Sequence, residues 1–201
     1  MKKFTGFSLR NYTKVLSSKE PIPGGGSASA YVASLGMSLG EMVAQIGGKK
    51  VAPEWKTTVD QAVKILRQTK SKALQVVDLD PKVYAAVMST YKKARSVTDP
   101  TKKERMIDEA LENSFRLQAD LALLVVMAKE AIDSLDGIIK GSIQNDLKVG
   151  RTFLEAAFHG AYDTAQINVV YLKNPEAKRR AEEALLELKK RFETATHAAR
   201  N

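Results

Sequence analysis

"SASAYVASLGMSLGEMVAQI" (Ser27–Ile46) decides how the rest of the chain is read. It is small or apolar almost all round, and a helix of that kind in a soluble protein is buried on every side, with neighbouring backbones close to it. We take it as the central helix of an all-α bundle. Outward from it, strand signals are nearly absent, because few runs alternate with period two, whereas apolar spacing of three and four recurs throughout. Upstream, "FSLRNYTKVLSS" (Phe7–Ser18) offers Ser8 as a helix cap, with Phe7 and Tyr12 spaced to pack across the first turn. Downstream, a helix is expected from about Pro53 to Val77, a boundary at "DLDP" (Asp78–Pro81), and a further helix starting at Pro81. Pro100 opens a long helix with Thr101 and Glu104 spaced as a capping box, and its apolar rhythm runs to Gly137. A last pair follows: a largely buried helix ending near Asn174, then one capped by Asn174 and Pro175. The latter carries a seam of Ala181, Leu185, Leu188, Phe192 and Ala195.

The 201 residues suit one domain, residues 1–201, and the composition is that of a folded globular chain, 44% apolar and 27% charged. Seams this sustained offer more apolar surface than one copy hides, so a homodimer is expected. The chain has no cysteine, which excludes disulfides and thiolate chemistry and suits a reducing, cytoplasmic setting. No apolar run reaches membrane-spanning length, so no membrane partner is expected. Two well-separated histidines make a poor ligand set, and no metal is expected. The net charge of +9 favours anionic partners without choosing among them. Nucleic acid is one such partner, but no helix-turn-helix signature or aromatic-basic interleaving supports it, and none is expected.

Immediately before the central helix stands "PIPGGGSASA" (Pro21–Ala30), with three of the chain's 12 glycines in a row. Two readings are open. Gly24, Gly25 and Gly26 leave amides free to converge on an anion at a helix N-terminus, or glycine simply permits a sharp entry and close passage of another helix.

"EPIPGGGSASAYVASLGMSLGEMVAQI" resembles the opening signature of the cyclodeaminase and cyclohydrolase family of folate enzymes. That family includes the cyclodeaminase half of formiminotransferase-cyclodeaminase and the bacterial methenyltetrahydrofolate cyclohydrolases. A second block, "VDLDPKVYAAVMSTYKKAR", is similar at Asp78, Asp80, Tyr84, Val87, Met88, Tyr91 and Lys92. A third, "KGSIQNDLKVGRTFLEAAFHGAYDTAQINVVYL", is similar at Gly141, Asp146, Gly160, Ala161, Ile167 and Asn168. The chain departs from the family pattern at "KKARSV", where Leu-Pro-Lys is usual, at Asn145 for Ser, and at Thr164 for Asn.

The resemblance implies a helical folate one-carbon enzyme, either a formiminotetrahydrofolate cyclodeaminase or a methenyltetrahydrofolate cyclohydrolase. Its substrate would be a tetrahydrofolate derivative, polyglutamylated in some forms. Either reaction needs a group to take and return protons. On that resemblance Asp146, Asp78 and Tyr84 are the catalytic candidates, Asp146 first. Gly24, Gly25, Gly26, Ser27, Asp80, Tyr91, Lys92 and Asn168 are the substrate-binding candidates, with the glycine amides on a glutamate-tail carboxylate or pterin carbonyl. The alternatives are a helical dimer that binds folate without turning it over, and a basic helical protein that binds nucleic acid.

Overall fold

The computed structural model describes residues 3–198, with side chains to residue 194. All the regular structure among them is helical: α1 (Leu9–Leu16), α2 (Gly25–Gly47), α3 (Lys56–Ala94), α4 (Pro100–Asp133), α5 (Gln144–Tyr171) and α6 (Pro175–Ala198), plus 3-10 turns at Phe4–Gly6 and Pro53–Trp55. Helices α2 to α5 form an up-down-up-down bundle in which α3 and α5 each pack on both α2 and α4. Helix α6 lies over α4 and α5. Alternation brings the N-termini of α2 and α4 to one end, together with the C-terminal halves of α3 and α5.

Helix α2 is the central helix that its composition requires. Ala30, Ala33, Met37, Val43 and Ala44 are wholly buried. A Cβ on Gly36 would stand 2.8 Å from the carbonyl of Gly150, and one on Gly40 2.7 Å from Ile132. Small residues therefore let α5 and α4 approach at contact distance, which sets the bundle's tight waist.

The expected break at Asp78–Pro81 does not occur. Helix α3 runs unbroken through Pro81 for 39 residues, about 58 Å. A proline inside a helix lacks the amide that would bond the carbonyl four residues back, here that of Val77. That carbonyl instead accepts the Ser27 hydroxyl at 2.9 Å. The orphan acceptor is satisfied by α2, so the helix continues. Because the Ser27 proton is committed to Val77, the Tyr12 hydroxyl, 3.1 Å from Ser27 Oγ, donates to it. This ties α1 to the same junction.

The caps follow the sequence with adjustments. Ser8 accepts from the Asn11 amide, and Asn174 accepts from Glu176 and Ala177. Asp99 rather than Thr101 caps α4, accepting from the amides of Thr101 and Lys102. Tyr12 packs on Phe4 and Tyr31 rather than on Phe7. In the α6 seam Phe192 stacks on Phe158, ring centroids 3.9 Å apart, while Ala195 lies outside the residues whose side chains are described. No helix is long and apolar enough to cross a membrane among the described residues.

Candidate active site

The end of the bundle where α2 begins holds a cavity of about 630 Å³. Its floor and one wall are the glycine turn, Gly24, Gly25 and Gly26. Helix α3 supplies Asp80, Tyr84, Val87, Met88 and Tyr91, α4 supplies Leu111 and Ser114, and α5 supplies Thr164, Ile167, Asn168 and Tyr171. The lining is mostly apolar and aromatic. Asp80 is its only carboxylate, and no lysine, arginine or histidine faces it among the described residues.

Asp80 is held from two sides. Its Oδ2 accepts the Ser27 amide of α2 at 3.1 Å, and its Oδ1 accepts Gln118 Nε2 of α4 at 2.7 Å. Burial pushes its carboxyl above the usual aspartate range, against the two hydrogen bonds that favour the charged form. A carboxyl raised in this way, at a cavity wall, is a candidate for proton transfer to and from a bound ligand. Tyr91 is likewise raised by burial, with Tyr171 and Asp108 adding to it.

The glycine turn now has a definite reason. Gly24 has an extended backbone, and none of the three glycines has a positive φ, so conformational freedom is not what requires them. A Cβ on Gly26 would overlap the Gln118 carboxamide and the Asp80 carboxyl, whereas one on Gly25 would meet only Thr164 Oγ1 at 3.8 Å. Gly26 is glycine so that Asp80 and Gln118 can lie against the first turn of α2. The anion at this helix N-terminus is the protein's own Asp80, which occupies the Ser27 amide.

Residues 8–187 match the model of the formiminotransferase-cyclodeaminase family. The chain belongs to that family. Formimidoyltransferase-cyclodeaminase of Gallus gallus is 28% identical over 165 residues, 80% of this chain and 30% of that protein. The Mus musculus protein of the same name is 27% identical over 166 residues, 81% of this chain and 30% of that protein. The chain thus spans about 30% of the length of these curated relatives. Formiminotetrahydrofolate cyclodeaminase from Thermotoga maritima has the same fold: TM-score 0.87, covering 96% of this chain and 94% of that one, at 18% identity.

Within this family member, the residues singled out from the sequence fall into two groups. Gly24, Gly25, Gly26, Asp80, Tyr84, Tyr91 and Asn168 come together around the cavity, with Ser27 behind them on Asp80. Asn168 donates to the Thr164 carbonyl at 2.8 Å from the cavity wall. Asp146, Asp78 and Lys92 stand apart. Asp146 lies in the first turn of α5, 18 residues before Thr164, which puts it about 27 Å along the axis at the other end of the bundle. There it complements the helix dipole. Asp78 points away from the cavity and caps the N-terminal 3-10 turn, accepting from the Thr5 amide at 3.1 Å and Thr5 hydroxyl at 2.6 Å. Lys92 is exposed and outside the lining.

Gln118 and Tyr171 were not singled out from the sequence. Gln118 had a signal: it sits on the apolar stripe of α4, seven residues after Leu111 and three before Leu121, where a polar residue must find a partner.

Proposed function

We propose that the chain is a folate one-carbon enzyme that cyclises 5-formiminotetrahydrofolate to 5,10-methenyltetrahydrofolate with release of ammonia, using Asp80 as the proton carrier. The observation that carries this reading is Asp80 itself, among the described residues the single carboxylate on an aromatic cavity with no cation in its lining, held against a helix N-terminus. The names of the family and its relatives support the substrate class.

The chemistry fits one carboxylate. The formimino group, protonated, is an amidinium cation, and the methenyl product is also a cation, so an anionic wall with no competing lysine or arginine suits both. Nitrogen-10 attacks the formimino carbon and forms the new carbon–nitrogen bond, and ionised Asp80 takes its proton. The protonated Asp80 then gives that proton to the formimino nitrogen, which leaves as ammonia, and the carboxylate is regenerated. Tyr84 and Tyr91, one above the other on α3, offer ring faces for a pterin. The glutamate tail finds no cation inside the cavity and would extend to solvent, where Lys92 belongs to the basic exterior.

Cyclohydrolysis of methenyltetrahydrofolate is the second reading, with Asp80 as the base on water. Two assays with purified protein separate them: ammonia release from the formimino substrate, and loss of methenyltetrahydrofolate absorbance. Ammonia release at a catalytic rate is expected. Absorbance loss alone would move the protein to cyclohydrolysis, and neither would leave a folate-binding protein without turnover.

A homodimer in the cytoplasm belongs to the same reading. Leu35, Met42 and Ile46 leave an exposed apolar stripe on α2, 37–51% accessible, with Val149 of α5 exposed beside it. A second copy of this chain would cover it. Light scattering is expected to return twice the chain mass, and a monomer at micromolar concentration would remove the dimer.

A further inference from the structure

Gln118 is wholly buried on α4, one turn below the cavity-lining Ser114, and does not itself line the cavity. Its Nε2 donates to Asp80 Oδ1 at 2.7 Å, while its Oε1 is buried with no partner among the described residues. A buried carbonyl oxygen without a donor is uncommon, and here it belongs to the side chain that touches the cavity's only carboxylate. We infer that Gln118 is a positioning residue that holds Asp80 against α2 and, by turning its carboxamide over, serves that carboxyl in both protonation states.

The donors and acceptors of the two groups allow this. An ionised carboxylate only accepts, and Nε2 of Gln118 meets it as a donor. A protonated carboxyl must donate, and the orphan Oε1 becomes its acceptor after half a turn about the last side-chain torsion, a rotation with a broad, roughly two-fold profile. A lysine or arginine at this place would fix Asp80 in the charged form, and an apolar residue would leave both forms without a partner.

The other groups around Asp80 do not do this. The Ser27 amide of α2 donates only. Tyr12 of α1 bonds Ser27 rather than Asp80. Tyr84 on α3 and Thr164 and Asn168 on α5 line the same cavity without a hydrogen bond to Asp80, and among the described residues no lysine, arginine or histidine lines it. Among the described residues Gln118 is therefore the one neighbour able to follow the proton. This inference builds on Asp80 as the proton carrier.

The test is the titration of the Asp80 carboxyl, followed by carbon-13 NMR in aspartate-labelled protein and assigned by the signal lost in Asp80→Asn. In Gln118→Met, which keeps length and volume but offers no hydrogen bond, both bonds are lost, and because the one donated to the ionised carboxylate is the stronger, the titration is expected to move upward by about one pH unit. The acidic limb of the kcat/KM profile should move with it. On the folate that is turned over, kcat should fall about tenfold with KM unchanged, since Gln118 does not touch the ligand. Should Gln118→Met fail to fold, Gln118→Glu is expected to raise the Asp80 titration further by setting a second carboxyl against it. An Asp80 titration unmoved in the folded variant overturns the inference. The NMR readout needs no turnover: if no folate reacts, the proposed activity fails while the titration still decides the role of Gln118.

Discussion

Asp80→Asn is expected to keep the fold, to weaken ligand affinity modestly through the lost charge, and to lose turnover by about 10²- to 10⁴-fold, the range that a positioned acid–base group contributes. The substitution leaves the local hydrogen bonds satisfiable. The asparagine oxygen can still accept the Ser27 amide, and its NH₂ can donate to Gln118 Oε1, the atom that lacks a partner with aspartate in place. What disappears is the transferable proton. Single-turnover rates, alongside folate affinity by calorimetry, measure the two effects separately.

Stability supplies an independent check on the same residue. Asp80 is raised by burial, so the folded protein binds this proton more tightly than the unfolded chain. Its contribution is therefore fully present below the unfolded value of about 3.9 and is lost as pH rises through the folded value. Asparagine carries no such cost. The melting temperature of Asp80→Asn should match the wild type near pH 4 and equal or exceed it at pH 7 to 8. A variant markedly less stable at neutral pH would mean that ionised Asp80 is a structural anchor.

The second large effect is at the glycine turn. Gly26→Ala places a methyl where the Gln118 carboxamide and the Asp80 carboxyl meet. Both are ends of side chains that can swing aside, so the fold survives at a cost of about 1–2 kcal/mol. The two groups are driven apart, however, and misplacing a reacting group by an ångström can cost about 10²-fold in rate. Gly25→Ala has room for its methyl and should melt within a degree or two of wild type. Thermal melts and turnover of the two alanine variants, side by side, check this. Equal behaviour of the two would show that the turn needs flexibility rather than space at Gly26.

Much of the bundle was legible because its signals are local. The small-residue character of α2, the caps at Ser8 and Asn174 and the three-four rhythm of α4 each arise within a few residues of sequence. Pro81 misled for the opposite reason: whether a proline ends a helix depends on who satisfies the carbonyl four residues back, and that partner, Ser27, lies 50 residues away. The site divides similarly. Tyr84 and Tyr91 were marked by the family resemblance, and the glycine turn by its own run of three. The choice between Asp78, Asp80 and Asp146 depended on which end of which helix faces the cavity, a tertiary fact. Two positions along α3 separate an aspartate that caps the N-terminal turn from one that faces the cavity. Asp146, favoured from the sequence, sits in the first turn of α5, away from the cavity.

The most direct measurement is a crystal structure of the protein with a stable reduced folate, 5-formyltetrahydrofolate, which keeps a one-carbon group on nitrogen-5. The pterin is expected in the cavity between the glycine turn and Tyr84, with the formyl group within about 3 Å of the Asp80 carboxyl, hydrogen-bonding reach for proton transfer. A folate bound at the other end of the bundle, with its one-carbon group beside Asp146 and the Asp80 cavity empty, would contradict the assignment of Asp80.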